Sequence, residues 1–318
     1  MKEQMKIWMD ALPYPAVVMT EGKGRLLRNR LARCLLPSSS RLNGVLSEFG
    51  DEFMREISLD GVSYLVVAFS EENERIFCFF EHFLPFQEVL SRAVVGKMQD
   101  FLWSLLNEEE RPCLETSLFH EQISARVCSL RRHGDNYLRL LNTASILGKE
   151  EASTCSLNGF FHCLQTALLA CGVGVSFEVR EGATVYTESG VLSFLVLNLV
   201  HFARLFEGEE NVCLDVSEET DGFRFSVTVS DEGSVADSFE KLIRYGKDGN
   251  ALLNTLPLLC ILRVCMEKGI PWTVKQQNGK ISFSILLAKG EKKPVLFFSD
   301  ATAAEVARFL QMVQSFFS

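Results

Sequence analysis

Residues Val191 to Phe206, which read VLSFLVLNLVHFARLF, limit the fold of this chain more than any other stretch. Among them only Ser193, Asn198, His201 and Arg204 are polar. The last three recur every third residue, which on a helix of 3.6 residues per turn draws one narrow polar stripe along a rod that is otherwise apolar. Such a helix must be buried, and the flanking sequence supplies the material to bury it. Val175/Phe177/Val179, Val212/Leu214/Val216, Phe223/Phe225/Val227/Val229 and Ile281/Phe283/Ile285/Leu287 each alternate apolar with polar residues, the mark of a strand with one buried face. Asn278-Gly279 predicts a tight hairpin joining the last of these to Trp272-Thr-Val-Lys. Helices are expected over Asn158 to Cys171 and over Leu256 to Lys268, the second closed by Gly269. Helix, strand, buried helix, hairpin, helix and hairpin in that order make a mixed sheet covered by helices on one face.

The second motif of this region is an acidic turn, Val229-Ser-Asp-Glu-Gly-Ser-Val235, at the end of a strand. A buried helix bearing Asn, followed by a strand ending in Asp-x-Gly, resembles the GHKL-type ATP-binding domain of sensor histidine kinases. In that family the helix carries Asn-Leu-x-x-Asn-Ala, which holds magnesium, and the strand ends in Asp-x-Gly-x-Gly, whose Asp reads the adenine amino group. This chain has Asn198-Leu199-Val200-His201-Phe202-Ala203 and Asp231-Glu232-Gly233-Ser234-Val235. The first motif lacks its second Asn and the second lacks its second Gly.

What is missing bears on chemistry. The resemblance places a magnesium ligand where Phe202 stands, and a phenyl ring offers no oxygen to an ion that demands octahedral oxygen ligation. The turn's second Gly, which lets backbone pass close to a nucleotide, is Val235. A Gly-rich phosphate loop is expected near Leu256-Pro257-Leu258, but the chain reads Ala251-Leu252-Leu253-Asn254-Thr255-Leu256. Branched side chains there crowd the amides that would wrap phosphates. Asn198, Asp231 and Gly233 remain as a vestigial nucleotide site, with ATP and magnesium its implied but weakened cofactors. Losing several charge-assisted contacts, each worth roughly 1.5–3 kcal/mol, carries a micromolar site into the millimolar range.

Ahead of this region, residues 85–150 have the pattern of two long helices. Leu90, Val94, Met98, Phe101 and Leu105 mark the first; Ile123, Val127, Leu130, Gly134, Tyr137, Leu141 and Ala144 alternate spacings of four and three in the second, a heptad seam. Joined near Glu115 to Ser117, they predict a hairpin that pairs with a second copy as a four-helix dimer, with Gly134 as its weak point. In the resembling family this hairpin carries the phosphate acceptor in a pattern close to Phe-Leu-x-x-x-Ser-His-Glu-Leu-Arg-x-Pro-Leu. Phe101 to Pro112 falls on it, retains Phe101, Leu102, Glu108 and Pro112, and puts Asn107 in the acceptor position. An amide has no lone-pair nitrogen with which to attack a γ-phosphate. His120, followed by Glu121, and His133, beside Arg131 and Arg132, are the alternative acceptors. His82, His162 and His201 share no metal-ligand spacing, and no metal site is expected.

The first 84 residues predict a small α+β domain. Ala16-Val17-Val18-Met19 reads as a strand, LLRNRLARCLL as a helix, and Val62 to Phe69 with Glu74 to Phe80 as a hairpin. Pro15-Ala-Val-Val, Gly24, Asn29, Ala32 and a terminal hairpin resemble a compact PAS domain, the usual input module of such kinases; a ligand-free α+β domain fits the same residues.

Composition narrows the function classes further. With 318 residues the chain is long enough for two or three domains with their own cores, and a net charge of −9 excludes a broad nucleic-acid-binding surface. Ten cysteines without a C-x-x-C pair suit neither a zinc site nor a disulfide framework, so a reducing, cytoplasmic location is expected. No signal-peptide core and no membrane span are expected.

The expected architecture is therefore α+β and multidomain: residues 1–84 a PAS-like input domain, 85–150 a dimerising two-helix hairpin, 151–290 an α/β two-layer sandwich of the histidine-kinase ATPase type, and 291–318 a strand and helix extension. The expected function is cytoplasmic signal transduction by a homodimeric pseudokinase that binds a response regulator or a true histidine kinase. Two alternatives stay open: an active histidine protein kinase using a non-standard His, and a phosphorelay phosphotransferase using His120 or His133.

Overall fold

The structure, a computed structural model, describes residues 9–12, 14–20, 25–50, 52–71, 74–81, 151–207, 211–230, 235, 237–240 and 249–290. The expected helical hairpin over 85–150 and the extension over 291–318 lie outside the described residues.

The N-terminal unit contains β1 (Ala16–Thr20), β2 (Arg25–Arg28), α1 (Arg30–Leu35), α2 (Ser39–Ser47), β3 (Met54–Leu59), β4 (Val62–Glu71) and β5 (Glu74–Phe80). Its strands form one antiparallel sheet in the order β2-β1-β5-β4-β3. The expected β4–β5 hairpin is present, in register from Leu65↔Phe80 to Glu71↔Glu74. The helix expected over LLRNRLARCLL divides instead: Arg25–Arg28 pairs with β1, and the helix begins only after Asn29. Asn29 enforces the break, because its extended backbone (φ −70°, ψ 174°) and side chain cap α1. Its Oδ1 accepts from the amides of Ala32 at 2.8 Å and Ala16 at 3.0 Å, tying the helix start to β1. Helix α2 and strand β3 were not expected. In β3 the polar Arg55, Glu56 and Ser58 break up the apolar Met54, Ile57 and Leu59, which disguises the period.

The C-terminal unit contains β6 (Ser153–Ser156), α3 (Leu157–Ala170), β7 (Gly174–Phe177), β8 (Thr184–Thr187), α4 (Ser189–Glu207), β9 (Asn211–Glu218), β10 (Gly222–Ser230), α5 (Gly249–Lys268), β11 (Trp272–Gln277) and β12 (Lys280–Ala288). Five strands form a mixed sheet, β11-β12-β10-β9-β7, in which only β7 and β9 pair in parallel. Phe223, Phe225, Val227 and Val229 of β10 are buried, while the residues alternating with them are half-buried (Arg224, Ser226) or exposed (Thr228, Ser230), so the sheet buries one face, as the alternation predicts. The tight hairpin is also as expected: Asn278 (φ 53°) and Gly279 (φ 69°) both take the left-handed conformation of a two-residue turn between Gln277 and Lys280. The small β6–β8 ladder was not expected; its residues are mostly Ser and Thr and carry no apolar alternation.

Helix α5 starts earlier than expected. It runs from Gly249 through Pro257, whose missing N–H removes one internal bond, and the burial of Leu258, Leu259, Ile261 and Leu262 holds the helix together across it. Gly269 (φ 65°) ends it, and the Ile270 amide returns to the Cys265 carbonyl at 2.9 Å.

Candidate functional site

Helix α4 lies against β9, β10 and α5. Leu192, Leu195, Val196, Leu199, Val200 and Phe202 are fully enclosed, as an all-round apolar helix requires. Among the described residues one segment, Ser189–Phe206, has the length and composition to cross a membrane, and 67% of it is buried inside the protein. It is a core helix.

The polar stripe is graded along this rod. Ser193 is buried and donates its hydroxyl to the Ser189 carbonyl at 2.9 Å. One turn on, Asn198 is 1% exposed; its Nδ2 donates to the Phe194 carbonyl at 2.8 Å, and its buried Oδ1 has no hydrogen-bond partner among the described residues. His201 and Arg204 are half-buried. The stripe thus emerges from the core toward the end of the helix. Four residues after Asn198, the Phe202 side chain is fully buried, its ring 5.1 Å from that of Phe206.

Two further features shape the region. Val235, at the place of the turn's second Gly, is fully buried in the hydrophobic core. The segment 251–256, expected to lack the glycines of a phosphate loop, is helical, so from the second turn of α5 onward each amide is already committed within the helix. Sequence reading missed Thr255 and Ser238, two buried polar residues, of which Thr255 lies on α5. Their only sequence signal is a single hydroxyl inside an apolar neighbourhood.

The described residues do not fit a magnesium ion. Phe202 has no ligand atom, Asn198 is enclosed with one end tied to Phe194, and among the described residues no group of three His, Cys, Asp or Glu could hold a metal. Of the vestigial set, Asn198 is placed here, while Asp231 and Gly233 lie outside the described residues. So do Asn107, His120 and His133, and also His82. His162 is exposed on α3, where its carbonyl accepts from the Thr166 hydroxyl at 2.9 Å.

No family model and no curated protein matches the chain. Solved structures do. The histidine kinase ThkA in complex with the response regulator protein TrrA is 14% identical, with 89% of this chain and 98% of that one covered at a TM-score of 0.46. The Acinetobacter baumannii histidine kinase AdeS is 11% identical, covering 62% and 95% at a TM-score of 0.39. A bacterial phosphotransferase is 16% identical, covering 62% and 92% at 0.31. Each is 16% identical to this chain or less.

Proposed function

We propose that the chain is a signalling protein on the plan of a sensor histidine kinase whose ATP chemistry has been lost, a pseudokinase that acts by binding. The plan assigns residues 1–84 to a PAS-like input domain, 85–150 to a dimerising hairpin, 151–290 to the ATPase-like domain and 291–318 to an extension. It is supported by the antiparallel N-terminal sheet with both helices between β2 and β3 and a terminal hairpin, and by the C-terminal sheet that buries one face around α4.

The observation that carries the loss of chemistry is Phe202. Its ring is part of the core at the position where the resemblance requires a magnesium ligand, so recovering the ligand would mean rebuilding the core. Asn107 in the acceptor position is an independent second loss. A protein without acceptor and without metal transmits a signal through its contacts, here a homodimer in the cytoplasm that engages a response regulator or a true histidine kinase.

The test uses the full chain with radiolabelled ATP and magnesium or manganese, and in parallel a fluorescent ATP analogue beside Asp231→Ala. No label and no saturable binding at millimolar nucleotide are expected. Label that is stable to alkali, labile to acid and absent from His120→Ala or His133→Ala would overturn the reading in favour of an active kinase. Label acquired only from a phosphorylated response regulator would replace it with a phosphotransferase.

A further inference from the structure

The N-terminal sheet is buried on both faces, and the two faces have different partners. Val17, Val66, Phe77 and Phe79 alternate toward α1 and α2 and share a cluster with Ala32 and Leu42. The residues between them, among them Val18, Val67, Phe69 and Cys78, belong to the same hydrophobic cluster as the core of the C-terminal unit. Where Phe53 of this cluster meets Phe239, the two units share a buried contact.

Among the described residues, one short stretch makes contacts between the two units. Phe53, just ahead of β3, is 3% exposed and places its ring 5.8 Å from that of Phe239, which is fully buried in the helical turn at 237–240. β3 is an edge strand of the first sheet and β11 an edge strand of the second, and Cα atoms of the two approach within 8 Å. Glu56 of β3 is near enough to the Cys265 thiol on α5 to add its charge to the burial that already pushes that thiol up. Phe53 thus meets the 237–240 turn, strand β3 runs beside β11, and Glu56 lies on the side of Cys265 of α5. Domains joined by loose polar surfaces move independently, whereas a buried ring pair between the two units resists such motion.

We propose that Phe53 to Glu56 form a coupling element through which the state of the N-terminal domain sets the order of the 237–240 turn and of α5. The coupling is reciprocal, so whatever loosens either domain loosens the other. It needs no nucleotide and holds whether or not the C-terminal unit retains any ATP chemistry.

Amide hydrogen exchange on the full chain tests this, with the perturbation placed far from the contact. Leu46→Val and Leu42→Ala lie in the cluster under α1 and α2, on the opposite face of the sheet from Phe239. Exchange at 237–240 and along 259–268 is expected to rise several-fold together with that of 25–80. In a Phe53→Ala or Phe239→Ala background the same perturbation should no longer reach 237–240. A rise confined to the N-terminal domain, or one that reaches 237–240 equally well with Phe53 removed, would overturn the proposal. If Leu42→Ala fails to fold, Leu46→Val removes a single methylene and keeps the test decisive. The readout involves no nucleotide, so its failure is distinct from a failure of the pseudokinase reading.

Discussion

Asn198 donates its Nδ2 to the Phe194 carbonyl at 2.8 Å and holds its Oδ1 in the core without a hydrogen-bond partner among the described residues. The Phe194 carbonyl is also the natural acceptor of the helix's own amide four residues on, so the side-chain bond adds little. A buried amide oxygen left unmatched costs about 1–3 kcal/mol. Asn198→Leu, similar in volume and without polar atoms, is therefore expected to stabilise the protein by about 1 kcal/mol and raise Tm by about 2–4 °C in calorimetry. A fall in Tm of that size would show that Oδ1 has a partner in solution.

Asn29 is the opposite case of the same residue type. All of its side-chain polar atoms are matched: Oδ1 accepts from the amides of Ala16 and Ala32, and Nδ2 donates to the carbonyls of Met9 at 3.1 Å and Tyr14 at 2.9 Å. Asn29→Ala removes a helix cap and takes their side-chain partner from the Ala16 amide and the Tyr14 carbonyl. A loss of about 3 kcal/mol is expected in urea unfolding of the N-terminal domain. A loss below about 1 kcal/mol would mean that water replaces these bonds without cost.

These two asparagines show what the sequence could and could not reveal. Asn198 was legible because a polar residue stands out in an apolar helix, yet no pattern tells whether its oxygen is matched, since that depends on neighbours distant in sequence. Asn29 belongs to a family resemblance, but its role as the point where β2 ends and α1 begins has no local signal, because Leu26, Leu27, Ala32 and Leu35 fit a single helix equally well. Strands β9, β10 and β12 were legible from strict alternation over eight or nine residues. The four-residue β6 and β8, held by pairing and rich in hydroxyls, gave no such signal. The meeting of Phe53 with Phe239 joins residues nearly two hundred positions apart and has no local signature at all.

Acid sensitivity should localise in part to the region where Glu218 meets Lys289 and Arg180. Lys289 Nζ lies 2.9 Å from Glu218 Oε1 and Arg180 Nη1 lies 2.9 Å from Oε2, and these bonds, that of Lys289 first, hold the carboxyl below its ordinary value of 4.5. The unfolded chain therefore takes up this proton first as pH falls, so the contribution is complete above about pH 4.5 and disappears as pH drops through the folded value. Between about pH 6 and pH 3 the Tm of Glu218→Gln should fall less steeply than that of the unmodified protein, with the two unlike only above the acid limb. Because the pair is exposed, the difference should shrink in high salt. Parallel curves would mean that the ion pairs are not populated in solution.

Placing at position 202 the asparagine that the resemblance to histidine kinases calls for tests whether this one residue decides nucleotide binding. Phe202→Asn removes a fully buried ring that packs on Phe206 and puts an amide in its place. Truncating a buried Phe costs about 3–5 kcal/mol from transfer and cavity together, and an unmatched amide adds to it. The variant should therefore be destabilised by about 4 kcal/mol, with Phe202→Leu losing clearly less. It should also gain no binding of a fluorescent ATP analogue with magnesium, because Asn198 stays enclosed and the segment 251–256 stays helical. The two readouts must be taken on the same folded sample. A folded Phe202→Asn protein that acquires saturable, magnesium-dependent binding would mean that the core around α4 opens readily, and that a single substitution divides this chain from a nucleotide-binding one.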